Sequence, residues 1–193
     1  MNRKKISMIV IAIQVIFFVG WYMAESQAFG KPVATIQVKP EPYDPRDLLS
    51  GQYFRLNYAF SRTSDRWDQE LKKSITPAWA KDLYCTDIDE QECSTYGPKQ
   101  TGDVWVTLVK GEDGFHHPIA ASFDKPAHTT SGHVVIKGYA TKNASNLTFG
   151  IEKYFVEEGT REPPRDDTVI MLDVYESGKV RINTLLVKGK KWP

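Results

Sequence analysis

Cysteine is scarce in this chain, histidine nearly so, and neither charge is in excess. Two cysteines and four histidines in 193 residues leave few donors for a metal cluster, and no HExxH or comparable ligand spacing occurs. His116 and His117 are adjacent, so on a strand they point to opposite faces and cannot easily share an ion. There is no GxSxG to mark a nucleophile, no phosphate loop and no dinucleotide fingerprint, so neither a metal nor a cofactor is expected. Lys and Arg number 25 against 24 Asp and Glu, a balance without the basic footprint that nucleic acid requires. No internal repeat and no low-complexity tract is present. The length allows one ordinary domain plus an appendage, and 41% hydrophobic with 25% charged residues places the bulk among globular chains.

What charge there is lies unevenly. Arg3, Lys4 and Lys5 precede a stretch without charge from Ile6 to Ala24, and the 22 remaining basic against 24 acidic residues leave the rest of the chain at −2. Ile6 to Met23 reads ISMIVIAIQVIFFVGWYM, interrupted by only Ser7 and Gln14 as clearly polar residues. At helical rise it spans roughly 27 Å, enough for a hydrocarbon core. Trp21 and Tyr22 stand at its far end, where amphipathic rings favour the interface. The basic residues keep the N-terminus cytoplasmic and send the remainder across. Ser26 and Ala28 form the small-x-small pair of a cleavage site, but the apolar run exceeds the usual signal-peptide core of about 7–15 residues. The expected division is a cytoplasmic basic end at 1–5, a transmembrane anchor at 6–24, a linker at 25–32 and an exported domain at 33–193. In an oxidising compartment Cys85 and Cys93 are expected to close a disulfide, whose short loop would contribute about 2–3 kcal/mol.

Most of the exported part reads as strand. VATIQV (33–38) is β-branched and alternating, the proline-rich KPEPYDPRD is a loop, and QYFRLNYAF (52–60) is a strongly aromatic strand. DRWDQELKKSI (65–75) spaces Trp67, Leu71 and Ile75 at helical intervals, with Asp65 as a cap. In TPAWAKDLYC (76–85) Thr76 caps, Pro77 opens the first turn, and Ala78 or Trp79 shares a face with Leu83. A helical insert over about 65–100 is therefore expected. Strands return at 104–110, 115–123, 133–141, 146–159, 169–175 and 180–189. The fold class is mainly β, an antiparallel sheet that curls or closes like a barrel, with a small helical insert.

Gly51-Gln52-Tyr53-Phe54-Arg55-Leu56-Asn57-Tyr58 reads GQYFRLNY, preceded by DPRDLLS. It resembles the signature of the GDYXXLXY protein family, with Gly51, Tyr53, Leu56 and Tyr58 at the motif positions and Gln52 where the motif is acidic. GIEKYFVEEG (150–159) is similar to a second block of that family, and Val187-Lys188-Gly189 resembles its closing hairpin. The resemblance implies a bacterial protein anchored in the inner membrane by a single pass, with its domain in the periplasm. It also implies a polytopic membrane protein as partner. It supplies no reaction and no catalytic residues, and neither composition nor motif fixes the oligomeric state.

Alternation along the first block puts Phe54, Leu56, Tyr58 and Phe60 on one face, the core, and Tyr53, Arg55 and Asn57 on the other. We expect Arg55 and Glu152 to share a sheet face flanked by Tyr53 and Tyr154, either as a recognition patch or as an ordinary solvated ion pair. Gly51 either supplies a positive φ at the turn into the strand or admits a close neighbour. The leading functional expectation is a non-enzymatic accessory module that docks on a membrane protein. The alternatives are a cell-envelope hydrolase with Glu152 as acid or base, and a glycan- or peptide-binding module with a groove lined by Tyr53 and Tyr154. KGKKWP at the C-terminus reads as a basic, solvated end.

Overall fold

A computed structural model of the chain describes residues 3–28, 30–41, 53–63, 66–68, 73–84, 97–160, 163–164 and 167–192. The apolar run forms helix α1 (Arg3–Ala28). Its stretch Lys5–Met23 is 19 residues long with a mean hydropathy of 2.2, long and apolar enough to cross a membrane, and no part of it is buried by the rest of the protein. A water-soluble surface helix has one apolar stripe; here Ile9, Ile13, Phe17 and Trp21 are as exposed as Met8, Val15, Phe18 and Tyr22.

The remainder is β structure: β1 (Ala34–Val38), β2 (Pro40–Glu41), β3 (Tyr53–Arg55), β4 (Asn57–Tyr58), β5 (Arg66–Asp68), β6 (Lys73–Ile75), β7 (Gly102–Lys110), β8 (His116–Ser122), β9 (His133–Ala140), β10 (Lys153–Phe155), β11 (Thr168–Val174), β12 (Val180–Val187) and β13 (Lys190–Lys191). The two larger sheets are β1-β11-β12-β13 and β8-β7-β9, with three two-stranded pairs, β10-β3, β2-β4 and β5-β6. Every pairing is antiparallel. Among the described residues the sheets do not close into a barrel. The mainly β class with a small helical insert is as the sequence implied.

Alternation selects the core. Thr168, Ile170, Leu172 and Val174 of β11 are buried between half-exposed neighbours, and Val104, Val106 and Leu108 of β7 repeat the pattern. Side chains from both larger sheets join Leu56, Tyr58, Phe60, Leu147 and Phe149 in one apolar cluster. The β11–β12 turn fastens the sheets together, since the Lys137 N–H donates to the Gly178 carbonyl at 2.8 Å. Gly178 has φ +79°, and a Cβ there would lie 2.6 Å from the Trp105 ring. Only glycine meets both conditions at this joint.

Three local expectations are corrected. The segment expected as a helix from Asp65 contains instead the antiparallel pair β5-β6, with Arg66 opposite Ile75 and Asp68 opposite Lys73; cross-strand pairing prevails over the spacing of four. Among the described residues of the insert, the helical part is a 3₁₀ turn at Ala78–Ala80 running into α2 (Lys81–Tyr84). Pro77, rather than Thr76, occupies the cap position, and it makes no side-chain cap. The strand expected over 146–159 is broken by Gly150 at φ +77°. The basic C-terminus is exposed at Lys190 and Lys191, as expected of a solvated end, and is also held in a hairpin. Lys188 and Gly189, at φ 51° and 74°, turn the chain back, β13 pairs with Leu186 and Val187, and Trp192 packs its ring on Phe54. Two consecutive left-handed residues between paired strands are the signature of a tight hairpin turn. Cys85, Cys93 and Gly51 lie outside the described residues.

Candidate functional site

The two sequence blocks are neighbours in space. In β3-β10, Arg55 stands opposite Lys153, Phe54 opposite Tyr154 and Tyr53 opposite Phe155. Beyond the ladder the Leu56 N–H donates to the Glu152 carbonyl at 2.8 Å. The Tyr58 hydroxyl, fully buried, donates to the Ile151 carbonyl at 2.8 Å. The Tyr58 ring stacks on Phe60 at 4.9 Å, and Phe60 meets Phe149 edge-on at 5.0 Å. Burial, and after it the nearby Glu152 carboxylate, hold the Tyr58 phenol well above its ordinary pKa, so it stays a neutral donor. Phe54, Leu56, Tyr58 and Phe60 are all buried, as alternation required.

This register divides the expected patch. Directly opposed residues of an antiparallel pair share a face, so Tyr53 and Arg55 lie with Lys153 and Phe155, while Tyr154 lies with buried Phe54. Glu152 has the parity of Tyr154 and turns inward, where its carboxylate accepts the Phe149 N–H. Arg55 and Glu152 therefore do not form the one-faced pair expected from sequence. The break at Gly150 resets the alternation, and the opposing strand fixes which residue meets Arg55. What replaces the pair is an outward cluster. Phe155 is 66% exposed, its ring lies 5.8 Å from that of Tyr53, and the Lys153 ammonium sits 4.6 Å from the Tyr53 ring centroid. Alternation alone puts Lys153 and Phe155 on one face of their block, but which strand they oppose is fixed only by the register.

Beside this cluster opens a cleft of about 1020 Å³. One wall is the segment from Phe149 to Phe155 and the other is Lys179 to Ile182 at the start of β12. The cleft exists because β13 covers β12 only at Leu186 and Val187, leaving the Val180 end of that strand without a β13 neighbour. Tyr154 closes part of the floor, its ring 6.2 Å from that of Trp192. Lys153, Lys179 and Arg181 border the opening, and among the described lining residues there is no Asp or Glu. Among the described residues no group of three or more His, Cys, Asp or Glu is placed to hold a metal.

The model of the GDYXXLXY protein family matches residues 15–185, a span that holds both blocks. The chain belongs to the GDYXXLXY protein family. No curated protein and no solved structure matches it. In this member of the GDYXXLXY family, the tyrosines at 53 and 58 do different work: Tyr58 ties the first block to the second from within the core, and Tyr53 displays an aromatic face outside.

Proposed function

We propose that this GDYXXLXY protein is a single-pass, inner-membrane-anchored accessory module whose β domain lies in the periplasm and docks on a polytopic membrane protein. The basic residues before α1 favour a cytoplasmic N-terminus, and tethering raises the effective concentration of the domain near a membrane partner. The observation that carries the docking reading is the exposed Phe155 ring against Tyr53, with Arg55 and Lys153 beside it. Aromatic residues and Arg are enriched in the cores of protein interfaces, and a large exposed ring rimmed by cations is a costly surface to leave uncovered. The bacterial setting follows from the same reading, and export would place Cys85 and Cys93 where a disulfide is stable. The hydrolase alternative gains less from the surroundings of Glu152, whose carboxylate is engaged by the Phe149 amide.

The test is site-specific photo-crosslinking in intact cells from position 155, with Lys110 on β7 as the comparison. A discrete adduct from 155 alone, identified by mass spectrometry as a multi-span membrane protein and lost in Tyr53→Ala, is the expected result. Equal adducts from both positions, or adducts with soluble proteins only, would sink the docking surface.

A further inference from the structure

The strand register locates the cleft relative to the membrane. The Val33 N–H donates to the Val174 carbonyl at 2.8 Å, Ala34 stands opposite Val174, and Val174 stands opposite Val180. The chain leaving α1 therefore enters the sheet at the end that carries Lys179, Val180 and Arg181. Met23 lies five residues before the end of α1 at Ala28, and the five further residues to Val33 bring the greatest possible reach to about 25 Å. Tyr22, one residue from the end of the apolar span, borders the same cleft. Lys188, Lys190 and Lys191 sit at the opposite end of β12.

We infer that the cleft seats the headgroup of an anionic phospholipid from the bilayer that holds α1. The charge is complementary: Lys153, Lys179 and Arg181 surround the opening with no acidic residue among the described lining. Asp173 stands across the ladder from Arg181, accepts from the Thr35 hydroxyl at 2.7 Å and the Asn183 amide at 2.8 Å, and is not among the described lining residues. The floor is apolar, built from Ile151, Val180 and Ile182, which suits the glycerol and first methylenes below a phosphate. Basic side chains beside a membrane surface are drawn to anionic lipid at about a fivefold gain in affinity for each. The inference rests on α1 being embedded in the bilayer.

The experiment uses the full chain, purified in a neutral detergent and presented with phosphatidylglycerol or phosphatidylcholine. Native mass spectrometry counts the lipids retained. The wild-type chain is expected to retain phosphatidylglycerol preferentially. The exposed-site variant Lys179→Ser/Arg181→Ser should lower that preference about 25-fold, and Lys190→Ser/Lys191→Ser, with the same charge change at the far end, should leave it in place. A diazirine-bearing phosphatidylglycerol should label residues within 149–155 or 179–182. Equal retention of the two lipids by the wild type, equal loss in both variants, or label confined to α1 would each overturn the proposal. Alkaline extraction of membranes distinguishes a failed cleft from a failed anchor, because only the latter releases the chain.

Discussion

Replacing Tyr58 by Phe isolates the link between the two family blocks. The variant keeps the ring, its stacking on Phe60 and its volume, and deletes one hydroxyl that donates to the Ile151 carbonyl at 2.8 Å. The site is fully buried, so water does not replace the lost partner. An ordinary hydrogen bond contributes about 1 kcal/mol net, and a buried group left without its partner costs about 1–3 kcal/mol; we expect a loss of about 2 kcal/mol. For a domain of this size that lowers Tm by roughly 4–8 °C. The assay is thermal unfolding of the full chain in detergent, followed by near-ultraviolet circular dichroism, which reports aromatic packing rather than helix content. Hydrogen exchange adds a local readout: the Leu56 N–H, which donates to Glu152, should lose protection. Tyr84→Phe is the comparison. Its hydroxyl donates to Thr63 Oγ1 at 2.8 Å, and Thr63 itself still donates to the Ser145 carbonyl, so its loss should be nearer 1 kcal/mol. A Tyr58→Phe protein that melts within about 1 °C of wild type would refute the reasoning.

Two further outcomes follow from the fold. Gly178→Ala places a Cβ at φ +79° and 2.6 Å from the Trp105 ring; the backbone strain alone is about 1–2 kcal/mol, so its Tm should fall by several degrees, and an unchanged Tm would contradict the described joint between the sheets. Burial is the main cause that holds His116 below its ordinary value of 6.5, opposed by the Gln37 carbonyl and reinforced by Lys110 and His117. The unfolded chain then takes up the proton more readily, so stability should rise with pH from the depressed folded value up to about 6.5 and level off above it. Urea midpoints at about pH 5.5 and 7.5 should differ less in His116→Gln than in wild type, and an identical difference would remove His116 from the account.

The sequence was most legible where one physical term dominated. The apolar helix, the strand cores of 33–38, 104–110, 169–175 and 180–189, and the buried set Phe54, Leu56, Tyr58 and Phe60 all follow from hydrophobic periodicity alone. It was least legible where two terms compete. Trp67, Leu71 and Ile75 have helical spacing, yet Arg66–Asp68 pairs with Lys73–Ile75, because a cross-strand partner five to nine residues away is invisible to a single-segment pattern. Register was the larger obstacle at the site. Nothing in GQYFRLNY or GIEKYFVEEG says that Arg55 meets Lys153 rather than Glu152, and a slip of one residue inverts every face. The cleft was hidden for a similar reason: it is bounded by where β13 stops, a property of two strands and a turn together.

The place of β1 bears on how the domain comes into being. Thr35 bonds to a residue 138 positions further along, Asp173, so the first strand made is completed by nearly the last. Synthesis delivers Ala34–Val38 directly behind α1. Its partner β11 arrives only after β7, β8 and β9 can already have paired with one another. Until then β1 is without its partner strand, and long-range closure of this kind is slow. The sheet edge next to α1 thus stays unfinished through most of chain elongation, which is the period when a chaperone or an early partner strand would find it open.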